Sequence, residues 1–524
     1  MRGTRALLRL YLRRDRVVAP LWIVLLGVLP LLYAVSFEGL YPTAADRQAF
    51  YLGTLAAPAQ AALVGPIFGS DLGALVSWRS GLVLTLVPLA AILTVVRHTR
   101  AEEDAGRTEL MGSTAVGRYA GLAAAMLLAG GGVATTGLLS TLSLWAFGLP
   151  AAGSIAFGAS VAVVGGVFVG CAALAAQVAS GARVARGYAL GALAAAFAIR
   201  AIGDIGSGTM SWFSPIGWSA QVRPFADEGW WPILLSSVTA AALCAAAFAV
   251  ANRRDLGSGL RAERRGPVAA VPSLSGPVAL AWRLSRGTTA VWTVGIALFG
   301  IAIGSSANGI GDQLGSSATI GDALGKFGGD TLEQSFIAAV LSIVGIIVAA
   351  YSVSALLRLH SEEEAGLAEI VLATGVSRIR WLAGHLLFAV LGPVWLLLVV
   401  GLSVGVSYGL ATGDIAAELP SVLSGALGQL PAVWVVTALG VALFGAIPRF
   451  ASALWAILGG VVALGQVGAV VGLPQPLLDI SPFTHVPWSL DIADSLASIG
   501  WLVAVAAAIG IAGSAAFVRR DIRG

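Results

Sequence analysis

The sequence predicts an all-α polytopic membrane protein with about 12 transmembrane helices, built as two parallel six-helix repeats related by a pseudo-two-fold axis. Three observations carry that prediction. Apolar runs recur from one end of the 524 residues to the other, and a helix needs about 20 such residues to cross a bilayer. Hydrophobic residues make up 57% of the chain and charged residues 11%, with a mean hydropathy of +0.88, whereas a soluble domain is about 25% charged. Finally, an acidic segment following the second apolar run returns, in the same position, in the second half of the chain.

Taken in order, the first six runs fall at about 17–36, 80–97, 119–147, 153–179, 187–206 and 231–251. The second six fall at about 289–307, 334–356, 381–411, 422–447, 450–473 and 498–517. Residues 1–251 form the first half, 252–277 a charged linker carrying Gly and Pro, and 278–524 the second half. The Arg-rich start resembles a signal peptide but has no convincing cleavage site, so the first run reads as a retained span. This composition excludes a soluble enzyme, a secreted scaffold and a nucleic-acid binder. Cys171 and Cys244 sit inside apolar runs and give neither a disulfide framework nor a metal site.

Charge placement orients the chain. With the N terminus in the cytoplasm, 26 of the 31 positive charges and 12 of the 27 acids fall inside. The inner face is then about +14 and the outer about −10, within a total of +4, as the positive-inside rule requires. Twelve spans place both termini in the cytoplasm, which in a bacterial cell puts the chain in the cytoplasmic (inner) membrane.

Against that basic inner face stand two acidic islands. Residues 102–118 read EEDAGRTELMGSTAVGR and residues 362–378 read EEEAGLAEIVLATGVSR. At an offset of 260 they share Glu102/Glu362, Glu103/Glu363, Gly106/Gly366, Glu109/Glu369 and Arg118/Arg378. Other landmarks recur in the same order: Ser214-Pro215 and Ser481-Pro482 before the last span of each half, and Arg253-Arg254-Asp255 and Arg519-Arg520-Asp521 after it. An even number of spans per half makes the repeats parallel. A transporter driven by a separate motor needs a rigid cytoplasmic element to receive force. Acidic groups suit an Arg- or Lys-lined socket, and the apolar Leu110-Met111 pair suits a shallow cleft.

Glu-x-x-x-Gly-x-x-Glu-Leu between the second and third spans resembles the cytoplasmic signature of type-2 ABC export permeases. The fused halves, with Ser-Pro-Ile-Gly-Trp and Ser-Pro-Phe-Thr-His segments, resemble actinobacterial permeases of the polyketide-antibiotic or tetronasin-exporter type. The resemblance implies that Glu102, Glu103, Gly106 and Glu109, with Glu362, Glu363, Gly366 and Glu369, belong to coupling helices. These would dock on two copies of a separately encoded ATPase, and ATP and Mg would bind there. It further implies export of hydrophobic or amphipathic compounds: drugs, antibiotics or lipids. One departure, Arg107-Thr108 becoming Leu367-Ala368, predicts unequal engagement of the two sites. The chain is not itself the ATPase. A phosphate-binding loop needs Gly-x-x-x-x-Gly-Lys-Ser/Thr, and the sole lysine stands in Gly325-Lys326-Phe327.

Two further segments are candidates. At 100° per residue, Arg2, Arg5, Arg9, Arg13 and Arg16 share one helix face, Leu7, Leu10 and Tyr11 lie opposite, and Arg14 is the misfit. This reads as an amphipathic helix in the membrane interface. Before each last span, proline and tryptophan predict short interfacial or re-entrant helices, at Trp212, Pro215 and Trp218, then Pro482, His485 and Trp488; the resemblance implies that they belong to an outer gate. No other ligand stands near His485, so it makes no metal site. Few ionisable residues lie deep in the spans; Arg200, Asp204 and Glu333 fall near outer ends. That favours an apolar path between the halves over the alternative, a proton-coupled secondary transporter of six-plus-six architecture.

Overall fold

The computed structural model describes residues 2–55, 58–112, 116–206, 208–254, 273–274, 276–307, 331–462, 464, 474–486 and 496–520. All regular structure among them is helical. The first unit holds α1 (Thr4–Arg14), α2 (Val18–Leu40), α3 (Ala44–Leu55), α4 (Pro58–Val64), α5 (Leu72–Arg79), α6 (Val83–His98), α7 (Arg100–Asp104) and α8 (Arg107–Gly112). It continues with α9 (Ala120–Ala146), α10 (Ala151–Val178), α11 (Ala182–Ile205), α12 (Pro215–Ala220) and α13 (Trp231–Asn252). The second holds α14 (Pro277–Ala307), α15 (Leu332–Glu364), α16 (Leu367–Leu372), α17 (Arg378–Thr412), α18 (Ile415–Gly428) and α19 (Leu430–Ala446). It ends with α20 (Leu454–Val462), α21 (Gln475–Leu478) and α22 (Leu496–Arg519). The chain divides into two compact units, Met1–Gly266 and Pro267–Gly524.

Eleven stretches among the described residues are long and apolar enough to cross a membrane. They correspond to eleven of the runs read from the sequence. The run expected at 450–473 begins as a 3-10 turn, Pro448–Ala453, followed by α20. Residue 463 and residues 465–473 lie outside the described residues, as does most of the linker expected at 252–277.

Between helices in lipid there is no hydrophobic driving force, so close approach depends on small residues. α10 is the central helix of the first unit and packs on α6, α9, α11 and α13. It meets α9 where two glycines face each other. A Cβ on Gly137 would lie 2.3 Å from the carbonyl oxygen of Gly158, and a Cβ on Gly158 equally close to that of Gly137. In the second unit α19 packs on α15 and α22, and a Cβ on Gly445 would meet the Gly513 carbonyl oxygen at 2.1 Å. Around these contacts Val87, Ile92, Phe157 and Val161 fill the first core, and Leu341, Val348, Leu396 and Val436 the second. α10 runs unbroken for 28 residues. The corresponding stretch of the second unit is divided at Gln429, where Pro431 sits in the first turn of α19 and cannot donate to the preceding helix.

Gly137→Leu should force α9 and α10 apart and cost about 1–3 kcal/mol, visible as a lower melting temperature of the detergent-purified chain. Gly130→Leu, on the same helix where a Cβ meets nothing within 4 Å, should melt like the unaltered protein. Equal melting of the two variants would contradict the packing account.

Candidate functional site

One end of each unit gathers the acidic signature. In the first unit the second span ends at His98 and the chain continues as α7 and α8, so the signature is an extension of a span. Three consecutive acids then tie three different elements to it. Glu102, 4% exposed, accepts from Arg14 of α1 and, at 2.6 and 3.0 Å, from Arg107 of α8. Glu103 accepts from Arg254, just past α13, and from the fully buried Arg100 at 2.7 Å. Asp104 accepts from the Ala182 backbone N–H at 2.6 Å, which holds the start of α11. Arg254 also donates to Gln177 at 2.8 Å, and Arg118 donates to the Ala251 and Arg254 carbonyls.

The second unit builds the same core clamp from different surroundings. Glu363 accepts both terminal nitrogens of Arg520, each at 2.6 Å, in a two-pronged geometry. Arg378 donates at 2.7 Å to the Arg520 carbonyl, as Arg118 does to that of Arg254. The Arg520 guanidinium lies over the rings of Phe444 and Phe517 at 4.9 and 5.1 Å, a cation–π seat that the first unit replaces with Gln177. Glu362 faces His385 at 3.2 Å and Arg358 at 3.6 Å. Leu367 stands where the first unit has Arg107 and is half exposed. The sequence departure at this position therefore appears in the geometry: Glu102 is held by arginines alone, Glu362 partly by a histidine. Pairing with Glu102 raises the Arg107 guanidinium above its ordinary value.

Beyond the clamp the chain turns at Gly106 and Gly366, both with φ of +69°, a left-handed conformation natural to glycine. Each turn launches a short helix, α8 or α16. Glu109 and Glu369 are exposed on them, beside Leu110 at 73% and Ile370 at 66% exposure. The signature residues thus separate into two groups. Glu102, Glu103, Glu362 and Glu363 are engaged within their own unit, whereas Glu109 and Glu369 are exposed beside Leu110 and Ile370.

The N-terminal helix is tied to the same end. Leu7 and Tyr11 pack against Ala120, Ala124, Ala125 and Leu128 of α9. Leu10, expected on that face, is 51% exposed. Arg14, the misfit of the helical wheel, is the residue that reaches Glu102. Asp15 accepts from His98 at 2.8 Å and pairs with Arg97 at 3.0 Å, and the Tyr11 and His98 rings lie 4.5 Å apart. Burial, with the Glu102 charge adding to it, pushes the Tyr11 phenol up to about 12.

At the other end of the first unit, the segment before α13 is locked onto α11. Ser214 donates to the Ala196 carbonyl at 2.7 Å and caps the Pro215 helix. Trp212 stacks on Trp231 at 4.9 Å, and Trp218 donates to the Trp212 carbonyl at 2.5 Å. Beneath lies the buried pair Arg200–Asp204 at 3.2 Å; Ser211 donates to Asp204 at 2.6 Å. Arg200 also donates to the carbonyls of Ala62 and Leu63. In the second unit Ser481 likewise donates to the Val461 carbonyl, at 3.2 Å, and Pro482 and Phe483 are buried. His485 lies 2.9 Å from the Asp479 carbonyl oxygen. Trp488 lies outside the described residues.

The arginine partners of Glu103 and Glu363 were the functional residues not assigned from sequence. Their signal was present in the Arg-Arg-Asp ends of both halves, but nothing in one dimension connects Arg254 to a glutamate 151 residues earlier. Arg100, Asp15 and His98 carried no repeated signal at all.

An all-helical chain with these spans is a multi-pass membrane protein, and a doubled polar clamp on span extensions fits a permease. Residues 274–518 match the family described as multidrug efflux system permease Rv1217c, C-terminal domain. The multidrug efflux system permease protein Rv1217c of Mycobacterium tuberculosis is 48% identical over 523 residues, covering 99% of this chain and 95% of that protein. The chain belongs to this family of efflux permeases.

Arg520→Gln leaves Glu363 buried without its bidentate partner and should cost on the order of 3 kcal/mol. Limited proteolysis would show the region around 360–378 cut faster, while Arg380→Gln, at an exposed position, leaves it unchanged. Indistinguishable digestion of the two variants would contradict the clamp.

Proposed function

We propose that this chain is the membrane-spanning subunit of an ABC exporter that moves hydrophobic or amphipathic drug- or antibiotic-like compounds out of the cell. It resembles the fused actinobacterial exporters of antibiotics. Two separately encoded ATPase subunits bind and hydrolyse Mg-ATP, and the chain itself transports without being an enzyme. It sits in the bacterial inner membrane with both termini, α8 and α16 in the cytoplasm. The relative's printed description as a permease of a multidrug efflux system supports this reading, as does the lack of a phosphate-binding loop in the sequence.

The observation that carries the proposal is the pairing of α8 and α16. Each is a short helix set off by a left-handed glycine, with an exposed acid next to an exposed large aliphatic residue. Each is joined through one buried glutamate to the arginine that ends the last span of its unit. A push on either helix is then transmitted to at least two spans. Glu109 and Glu369 supply charge for a basic rim, and Leu110 and Ile370 supply the apolar anchors that dominate binding energy at such contacts.

Leu110→Asp and Ile370→Asp should each weaken ATPase capture by about 2 kcal/mol. Co-purification with the proposed ATPase subunit measures it, and the permease itself should stay folded. Export, read as ATP-driven drug uptake into inverted vesicles, should stop with vanadate and persist with a protonophore. Efflux abolished by the protonophore alone would replace this reading with a proton-coupled transporter, and full ATPase capture by both variants would remove α8 and α16 as docking helices.

A further inference from the structure

The N-terminal helix holds a charge arrangement that drug transport does not account for. Arg2, Arg5, Arg9, Arg13 and Arg16 are all exposed, and among the described residues none is ion-paired with an acid. They point away from the face that Leu7 and Tyr11 bury on α9. Leu10, Leu12, Val17 and Val18 are exposed beside them, at about half or more of their surface, immediately before the first span. Only Arg14 turns inward, onto Glu102.

We infer that α1 binds the acidic phospholipid headgroups of the leaflet it lies against, and that this contact sets the order of the first unit's signature segment. The occupant follows from charge complementarity. Guanidinium groups pair with lipid phosphates, while the flanking aliphatic side chains enter the boundary with the acyl chains. Each arginine near an acidic surface contributes about fivefold to partitioning, so four or five together discriminate strongly between acidic and zwitterionic lipid.

Three links connect the helix to the signature. The Arg2 carbonyl accepts from the Gly117 N–H at 2.8 Å, beyond the far end of α8. Arg14 holds Glu102, and Asp15 holds His98 and Arg97 at the end of the span that feeds α7. α1 therefore brackets the signature on both sides, and fixing it on a lipid surface fixes the base of α8. In the second unit Glu362 is held by α15 and α17 instead, so the lipid effect falls on one unit. The regulatory part of this inference rests on α8 being a docking helix; the lipid contact does not.

The test is hydrogen exchange of the full chain in nanodiscs of phosphatidylcholine alone or mixed with phosphatidylglycerol. Acidic lipid should slow exchange severalfold in residues 4–14 and in residues 100–112. The R2Q/R5Q/R9Q/R13Q variant should show no lipid difference in either segment. Arg14→Gln should keep the difference in 4–14 and shrink it in 100–112, where the Gly117 and Asp15 links remain. Each variant is judged by its own difference between the two lipids, so a general loss of stability does not imitate the result. Equal exchange of the unaltered chain in both lipids, or a lipid response surviving in the four-arginine variant, overturns the lipid contact. Protection confined to 4–14 in the unaltered chain overturns its transmission. No ATPase enters the measurement, so this inference and the transport reading fail independently.

Discussion

A buried carboxylate bonded to an arginine at the end of the last span is the contact on which each unit's polar end depends. Burying such a pair is expensive, and it persists only where further hydrogen bonds complete it. In the first unit Arg100 and Gln177 supply such bonds to the Glu103–Arg254 pair; in the second, Glu363 and Arg520 share two hydrogen bonds and the Phe444 and Phe517 rings seat the guanidinium. The pair closes a loop between the beginning and the end of a six-span segment, since Glu103 follows the second span and Arg254 the sixth. A signature segment secured in this way moves with its spans.

The two units reach that result by different chemistry. Around the first clamp, permanent charges predominate: Arg14, Arg107 and Arg100 surround Glu102 and Glu103. Around the second, an imidazole and two aromatic rings take the corresponding places. Among the described residues, only the first is bracketed by a helix that precedes its first span. On the proposed reading of α8 and α16 as docking helices, equal turns on unequal supports give two contacts that differ in stiffness. The segments before the last span of each unit show a similar inequality, because Arg200 and Asp204 lock the first onto its span, whereas the second uses the Ser481 bond to Val461.

Most of the fold was legible in one dimension, because spans advertise themselves by length and apolarity. Eleven of the runs correspond to helical stretches long and apolar enough to span, to within several residues at most ends; the larger differences lie where the helical stretch runs beyond the apolar run, as at Leu72–Asp104. The repeated Glu-Glu-x-Ala-Gly-x-x-Glu marked the segment where the structure gathers each unit's acids and arginines. What it could not show was which acids are available. A glutamate in a charged run looks the same whether it faces solvent or a guanidinium contributed from 157 residues away, as for Glu363 and Arg520. Helical periodicity placed Leu7 and Tyr11 on the packing face but also Leu10, because a wheel does not show how wide the contact with α9 is. Arg14 broke the pattern for a tertiary reason, its bond to Glu102.

The central claim is that Glu363 and Arg520 act as one unit in passing motion from α16 to the spans. A double-mutant cycle on ATP-driven drug efflux tests it most directly, using Glu363→Gln, Arg520→Gln and the pair of substitutions together at matched expression. The account predicts that each single substitution slows efflux strongly and that the double variant is no slower than the worse single one. Two losses that simply add, or single variants that transport like the unaltered protein, would contradict it.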